Sequence, residues 1–365
     1  MKITALDTPS LLIDREIMRD NMQFMLDYAA RHGVRLRPHA KTHKMPAVAR
    51  LQVEMGARGI AVAKVGEAEA MAAAGLDDIF IANEIVGAQK WERIRALAQR
   101  GVKVGFGVDS LEALPGIQKV FSGADRPAEV LIEIEVGERR SGVIEENDFT
   151  ALLAAIRRCP AMRFKGIFSH DGNSYSAKDR EDLIRIAVGA QERTLRFAPA
   201  AGMPCEIVSY GATPTFMNEV PILGGITELR PGTFIFMDAS QGHAIGTLAR
   251  CAATVLATVI SRPTAERVIL DVGAKGLTMQ RRSEGVCATP GHGTLLEHPG
   301  VHIDKVFDEH AIINAAFREK VRVGDRVRVV PVHICPVCNL YEYAYLVSGG
   351  EVIDRFPVSA RGKLQ

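Results

Sequence analysis

The sequence predicts an α/β chain in which an eightfold βα barrel of the TIM type is followed by a smaller, mainly β domain. Three observations carry that expectation. From Val34 onward, short β-branched runs alternate eight times with helical stretches of roughly ten to twenty residues, the pattern of parallel strands joined by crossover helices. The Gly-x-Gly-x-x-Gly fingerprint of an open dinucleotide-binding sheet is missing. After Gln241 the texture changes to β-rich segments separated by Gly, Pro and charged turns. A chain of 365 residues also exceeds the roughly 250–300 residues that one core fills, so two domains are expected: the barrel at 15–240, and the second from 1–14 together with 241–365.

The barrel strands are expected at residues 34–38, 59–63, 78–82, 102–108, 129–136, 164–170, 206–210 and 227–230. Between them, residues 45–55, 87–99, 147–157 and 176–198 carry apolar side chains at three- and four-residue spacing, as helices packed on a sheet do. Strands of the second domain are expected at 252–260, 268–272, 301–307, 327–330 and 341–347. Residues 10–14 also read as a strand; it precedes the first barrel repeat and is expected to cross to the second domain.

Composition excludes several functional classes. The 45 Lys and Arg against 43 Asp and Glu leave a net charge of +2, with no basic stripe to follow a phosphate backbone, so nucleic acid is not an expected partner. No run approaches the roughly 18 apolar residues of a membrane span, and residues 1–7 lack the apolar core of a signal peptide. The 6 cysteines have no paired framework spacing and suit a reducing compartment, so a cytoplasmic protein with no membrane partner is expected.

The densest chemical signal is His333-Ile334-Cys335-Pro336-Val337-Cys338, which puts one imidazole and two thiols within reach of a borderline-soft metal, zinc above all. No second Cys-x-x-Cys occurs, which favours an open catalytic site over a closed four-ligand one; a buried turn with inert thiols is the alternative. In such barrels chemistry sits at the C-terminal ends of the strands. The first strand ends in Arg37-Pro38-His39-Ala40-Lys41-Thr42-His43-Lys44, where a desolvated lysine amine can condense with a carbonyl group; a solvated basic turn is the alternative. The last two strands end in Ser209-Tyr210-Gly211-Ala212-Thr213-Pro214-Thr215 and Arg230-Pro231-Gly232-Thr233, whose glycines and hydroxyls can cradle a phosphate. Lysine and phosphate cradle together suggest pyridoxal 5′-phosphate.

These segments carry a resemblance to a known family. The chain resembles the fold-type III pyridoxal-phosphate enzymes of the D-threonine aldolase and D-serine dehydratase family, whose barrel is related to the N-terminal domain of alanine racemase. The resemblance runs from Asp7-Thr8-Pro9-Ser10 to Ser359-Ala360-Arg361-Gly362, and its most specific motifs are the Pro38–Lys44 and His333–Pro336 segments. It implies that Lys41, not Lys44, carries the cofactor, and that His333 and Cys335 bind a divalent metal: zinc, or manganese in an aldolase. It places Arg140 beside the cofactor. Tyr175 is expected against the pyridine ring, Tyr210, Gly211, Thr213, Gly232 and Thr233 around the phosphate, and His39 and His170 in proton transfer. A homodimer is implied, with Glu309 and His310 reaching the neighbouring subunit's site.

Within that family the chain leans to one side. Its His-x-Cys pair is similar to that of D-serine dehydratases, where aldolases carry His-x-Asp, and the His170–Tyr175 and Gly211–Thr215 segments agree. Phe236-Met237-Asp238 and Asp308-Glu309-His310 look more like the aldolase side. The implied activity is a pyridoxal-phosphate- and metal-dependent lyase acting on D-serine, D-threonine or D-threo-3-hydroxyaspartate, with β-elimination to a 2-oxo acid and ammonia. Retro-aldol cleavage to glycine and an aldehyde is the alternative, and racemisation a further one.

Overall fold

The computed structural model of the chain describes residues 1–201, 205–313 and 315–365. Strand β1 (Ser10–Asp14) ends in an aspartate whose carboxylate accepts from Ile17 N–H at 3.0 Å, which caps helix α1 (Arg15–Arg31). The alternation then runs β2 (Arg35–Leu36), α2 (Pro46–Glu54), β3 (Ile60–Val62), α3 (Val65–Ala73), β4 (Asp78–Glu84), α4 (Ala88–Gln99), β5 (Lys103–Val108), α5 (Leu114–Phe121) and β6 (Ala128–Ile134). It continues through α6 (Glu146–Arg158), β7 (Met162–Ser169), α7 (Arg180–Ala201), β8 (Ile207–Tyr210), α8 (Thr213–Met217) and β9 (Glu228–Leu229). Among the described residues, no helix is long and apolar enough to cross a membrane.

Strands β2 to β9 form one sheet of parallel pairs in the order β2-β9-β8-β7-β6-β5-β4-β3. A bridge between His39 and Ala61 joins its two ends, with Ala61 N–H donating to Pro38 O at 2.8 Å and Ala40 N–H to Ala61 O at 2.7 Å. All eight expected barrel strands are present. The first and last are only two residues long, because Pro38 and Pro231 follow them and bring no N–H to the ladder.

The second sheet has the order β11-β14-β13-β12-β15-β10-β1-β16-β17, and a further β10–β11 pairing closes β10 to β15 into an antiparallel barrel. Its members are β10 (Ala253–Thr264), β11 (Arg267–Leu270), β12 (Gly293–Leu295), β13 (His298–Val306), β14 (Ala311–Ile313), β15 (Arg326–Pro331), β16 (Tyr343–Ser348) and β17 (Glu351–Pro357). Short helices α9 (Ala239–Ala244), α10 (Ala274–Leu277) and α11 (Ile334–Cys338) interrupt them. As expected, β1 joins this sheet, antiparallel to β10 and parallel to β16. Sequence reasoning missed β12 and β14, which have three residues each, and β17, an outer strand with little buried surface.

A polar chain runs through the parallel barrel. Arg37, 5 % exposed, donates to Glu228 from Nε at 2.8 Å and to Asp78 from Nη1 at 2.6 Å. Glu228 also accepts from Ser209 Oγ at 2.8 Å, and Ser209 Oγ accepts from Arg230 Nη1 at 2.6 Å. Arg230 donates its other terminal nitrogen to Ser169 O at 2.8 Å and stacks over Phe80 and Phe168, which plug the barrel with Ala61 and Leu131. Removing one member leaves its partners buried and uncompensated. Arg37→Met should therefore lower unfolding stability by about 3–5 kcal/mol, read by denaturant titration; a loss below about 1 kcal/mol, the range of an exposed pair, would contradict the assignment.

At the rim, burial and the facing Glu133 carboxyl push Glu84 up to about 9 from an ordinary 4.5. Between those values the folded state holds a proton that the unfolded chain has released, so the residue's contribution falls as pH rises through that window. Glu84→Gln should thus gain in melting temperature relative to the parent as pH rises from about 5 to 9. A difference that stays constant over that range in thermal scans would rule out the shared proton.

Candidate active site

The loop after β2 brings three of the expected residues together. His39 is 5 % exposed; burial first, then the nearby Lys41 and Arg230 charges, hold its imidazole well below the usual range. Its Nδ1 accepts from Lys41 N–H at 3.4 Å. Lys41 is partly buried, and burial lowers its amine; Arg140 and Arg230 act in the same direction while Cys335 and Glu67 oppose them. Lys44, three positions on, is committed elsewhere: its Nζ lies 3.1 Å from Glu67 and its carbonyl accepts from Ala360 N–H at 3.0 Å. A desolvated lysine amine and a second lysine engaged in an ion pair divide the two roles.

Opposite this loop, the segments after β8 and β9 form a cradle. Gly211 has φ +143°, a conformation open to glycine, and a Cβ there would lie 2.3 Å from the Phe216 ring. A Cβ on Gly232 would lie 2.7 Å from Thr42 Oγ1, so the two loops touch only because that side chain is absent. Among the described residues, the amides of Ala212, Thr213, Gly232 and Thr233 donate to no protein acceptor. Unpaired N–H groups gathered between two loops suit an oxyanion such as a phosphate.

The metal-type pair lies beside the same loop. The Cys335 thiol donates to Thr42 Oγ1 at 3.2 Å and sits 3.4 Å from Thr233 Oγ1, which places it between the lysine loop and the cradle. Burial raises the thiol, while those two hydroxyls pull it back. Burial lowers the His333 imidazole to about 4, against the opposing Asp238 charge, so it is neutral at physiological pH. Its Nδ1 faces Gln280 Oε1 at 3.1 Å, the geometry of a donated N–H, which leaves Nε2 with a lone pair for a cation. Among the described residues no group of three His, Cys, Asp or Glu could hold a metal. Two protein donors fit an open site. Asp238 sets the pair's position, its Oδ2 accepting from Ile334 N–H at 3.1 Å at the start of α11.

Around the rim, Arg140 reaches Glu138 at 3.3 Å and Glu133 at 3.5 Å, and His170 Nδ1 lies 3.2 Å from Glu138. Burial raises the Glu138 carboxyl, but His170, Arg140 and Lys41 outweigh it and hold the group below its ordinary range. Tyr175 lies in the turn after β7, partly buried, under the Arg282 guanidinium at 4.5 Å. Tyr210 corrects an expectation. It alternates outward on β8, and its hydroxyl donates to Asp171 at 2.7 Å and contacts Ala187 O in α7, so its side chain does not face the cradle. Cys338 is fully buried packing, and Glu309 pairs with Lys275 on the surface at 2.8 Å. Sequence reasoning missed Thr42, Gln280, Arg282 and the hold of Asp238 on the start of α11. All four act through contacts made in three dimensions, and none carries a spacing signal of its own.

Comparison with known proteins gives this arrangement a context. The profile of the alanine racemase N-terminal domain matches residues 13–240, and that of a serine dehydratase domain matches residues 252–347. A D-threonine aldolase of Arthrobacter sp. is 34% identical over 99% of this chain and 94% of its own. The D-threo-3-hydroxyaspartate dehydratase of Delftia sp. is 33% identical over 96% of this chain and 97% of its own, and a cysteine-to-alanine variant of a D-threo-3-hydroxyaspartate dehydratase has been solved in a metal-free form. The solved D-threonine aldolase of Filomicrobium marinum covers 100% of this chain and 98% of its own at 31% identity, with a TM-score of 0.91. With motif, fold and full-length similarity in agreement, the chain belongs to the D-threonine aldolase and D-serine dehydratase family of alanine racemase-like pyridoxal-phosphate lyases.

Proposed function

We propose that the protein is a metal-assisted lyase of D-β-hydroxy amino acids that acts by β-elimination, releasing a 2-oxo acid and ammonia. Its barrel is taken as residues 15–240, with the second domain built from 1–14 and 241–365. Lys41 would hold pyridoxal phosphate covalently, with the free amides of Ala212, Thr213, Gly232 and Thr233 on its phosphate. When bound, that cofactor accepts electron density from Cα. His333 Nε2 and Cys335 Sγ would hold a divalent metal, zinc in this proposal, which as a Lewis acid assists departure of the β-hydroxyl.

The chain's own groups supply the rest. Burial and the neighbouring arginines keep the Lys41 amine a competent base, and its place on one side of the mouth lets it take the Cα proton from a single face, which selects one configuration. His39 and His170 flank that path, and Arg140, anchored by Glu133 and Glu138, keeps positive charge beside the lysine. The single observation that carries elimination over cleavage is Cys335 between Thr42 and Thr233, where a carboxylate would suit cleavage. A thiolate donor tempers Lewis acidity, which disfavours ionising the substrate hydroxyl, the first need of retro-aldol cleavage. The similar aldolases keep cleavage as the second reading. Free cysteines suit a reducing cytoplasm. A homodimer, with Glu309 and His310 near the partner's mouth, completes the proposal.

Two measurements test it. With D-threonine, the purified holoenzyme should yield 2-oxobutanoate and ammonia, and Lys41→Ala neither; glycine plus acetaldehyde as the main products would establish cleavage instead. Chelation should abolish turnover while the melting temperature shifts by no more than a few degrees, because a metal on two protein donors is not a folding staple. A collapse of thermal stability in chelator would show a structural metal.

A further inference from the structure

The mouth of the parallel barrel is partly covered by residues 278–292, which join α10 to β12. Val286 N–H donates to Ala177 O at 2.7 Å, and a Cβ on Gly285 would lie 2.4 Å from the Ser176 carbonyl carbon, so this segment is seated on the turn after β7. One of its residues, Gln280, contacts His333, and the next arginine but one, Arg282, stacks on Tyr175. The segment therefore bridges the metal-type pair and the barrel rim.

Several cations of the barrel interior and its mouth are already engaged. Arg37 and Arg230 are consumed by Glu228, Asp78, Ser209 and Ser169; Arg140 by Glu133 and Glu138; Lys44 by Glu67. Among the described residues Arg282 forms no ion pair with a carboxylate, and its Nε is buried with no acceptor. The π-face of Tyr175 holds the guanidinium plane but accepts none of its in-plane N–H groups. A fixed planar fork with free donors is built to receive a carboxylate.

We propose that Arg282 binds the α-carboxylate of the amino-acid substrate, with the Tyr175 ring holding the fork in place. This rests on the D-β-hydroxy amino acid reading above and adds a substrate anchor carried by the second sheet rather than by the barrel. It also assigns the segment 278–292 a double task, since Gln280 orients the His333 ring while Arg282 fixes the substrate beside it.

The test uses the holoenzyme and its Arg282→Gln and Arg282→Lys variants. With D-threonine, Arg282→Gln should raise KM about 30-fold or more, while kcat changes far less; Arg282→Lys should lie between the two. Because a loosened loop could also weaken binding, inhibition by D-alanine is compared with inhibition by D-alaninamide, which lacks the carboxylate. The parent should prefer D-alanine, and that preference should collapse in Arg282→Gln while D-alaninamide binds as before. Unchanged preference overturns the proposal, as does an effect confined to D-threo-3-hydroxyaspartate, which would mark Arg282 as a reader of the β-carboxylate. A parent enzyme that turns over no D-β-hydroxy amino acid yet loses D-alanine preference on Arg282→Gln would instead refute the proposed reaction and keep the anchor.

Discussion

Closure of the parallel barrel at its weakest seam is the constraint from which the site follows. Strands β2 and β9 contribute two residues each, and prolines end both, so backbone hydrogen bonds alone hold that edge poorly. Arg37 compensates by tying β2 to Glu228 on β9 and Asp78 on β4 across the barrel interior. Lys41 lies four residues beyond Arg37, in the loop that joins the other side of β2 to β3 through the His39–Ala61 bridge. Lys41 is thus placed by the same contacts that close the fold. A buried ion network is a costly way to add stability, and its geometric specificity gives it a purpose here.

Electrostatics at the mouth follow from that geometry. Lys41 shares its half-buried space with Arg140 and Arg230, and the loss of water with those like charges favours a neutral lysine amine. The same excess of positive charge suits a ligand carrying a phosphate and a carboxylate. His39 and His333, both held neutral by burial, are then free to accept a proton or a metal.

Much of this was legible in the chain itself, for identifiable reasons. The eight barrel strands announced themselves because short β-branched runs bounded by turns alternate with helical stretches. Lys41, His333 and Cys335 stood out because their chemistry is concentrated in short segments. Tyr210 was misjudged because a strand's last residue can face either side, and one step of alternation decides it. Arg282, Gln280 and Thr42 stayed hidden because their significance lies in partners as far as 293 positions away, as for Thr42 with Cys335. The edge strand β17 gave no apolar alternation because most of it is exposed.

The insertion of β1 between β10 and β16 has a consequence for how the chain assembles. Leu11 pairs with Val255 on one side and Ala344 on the other, so β1, made before the whole parallel barrel, waits for residues that follow that barrel before its edges are covered. Closing loops of that length is slow, and until then an apolar strand with two open edges is available to pair with other chains. The parallel barrel can form in the interval, but the second sheet cannot be completed without residues on the far side of it. Yield from rapid overexpression should therefore be limited by kinetics of assembly more than by the depth of the native minimum, and slower translation or a chaperone that shields Ser10–Asp14 is the remedy the topology indicates.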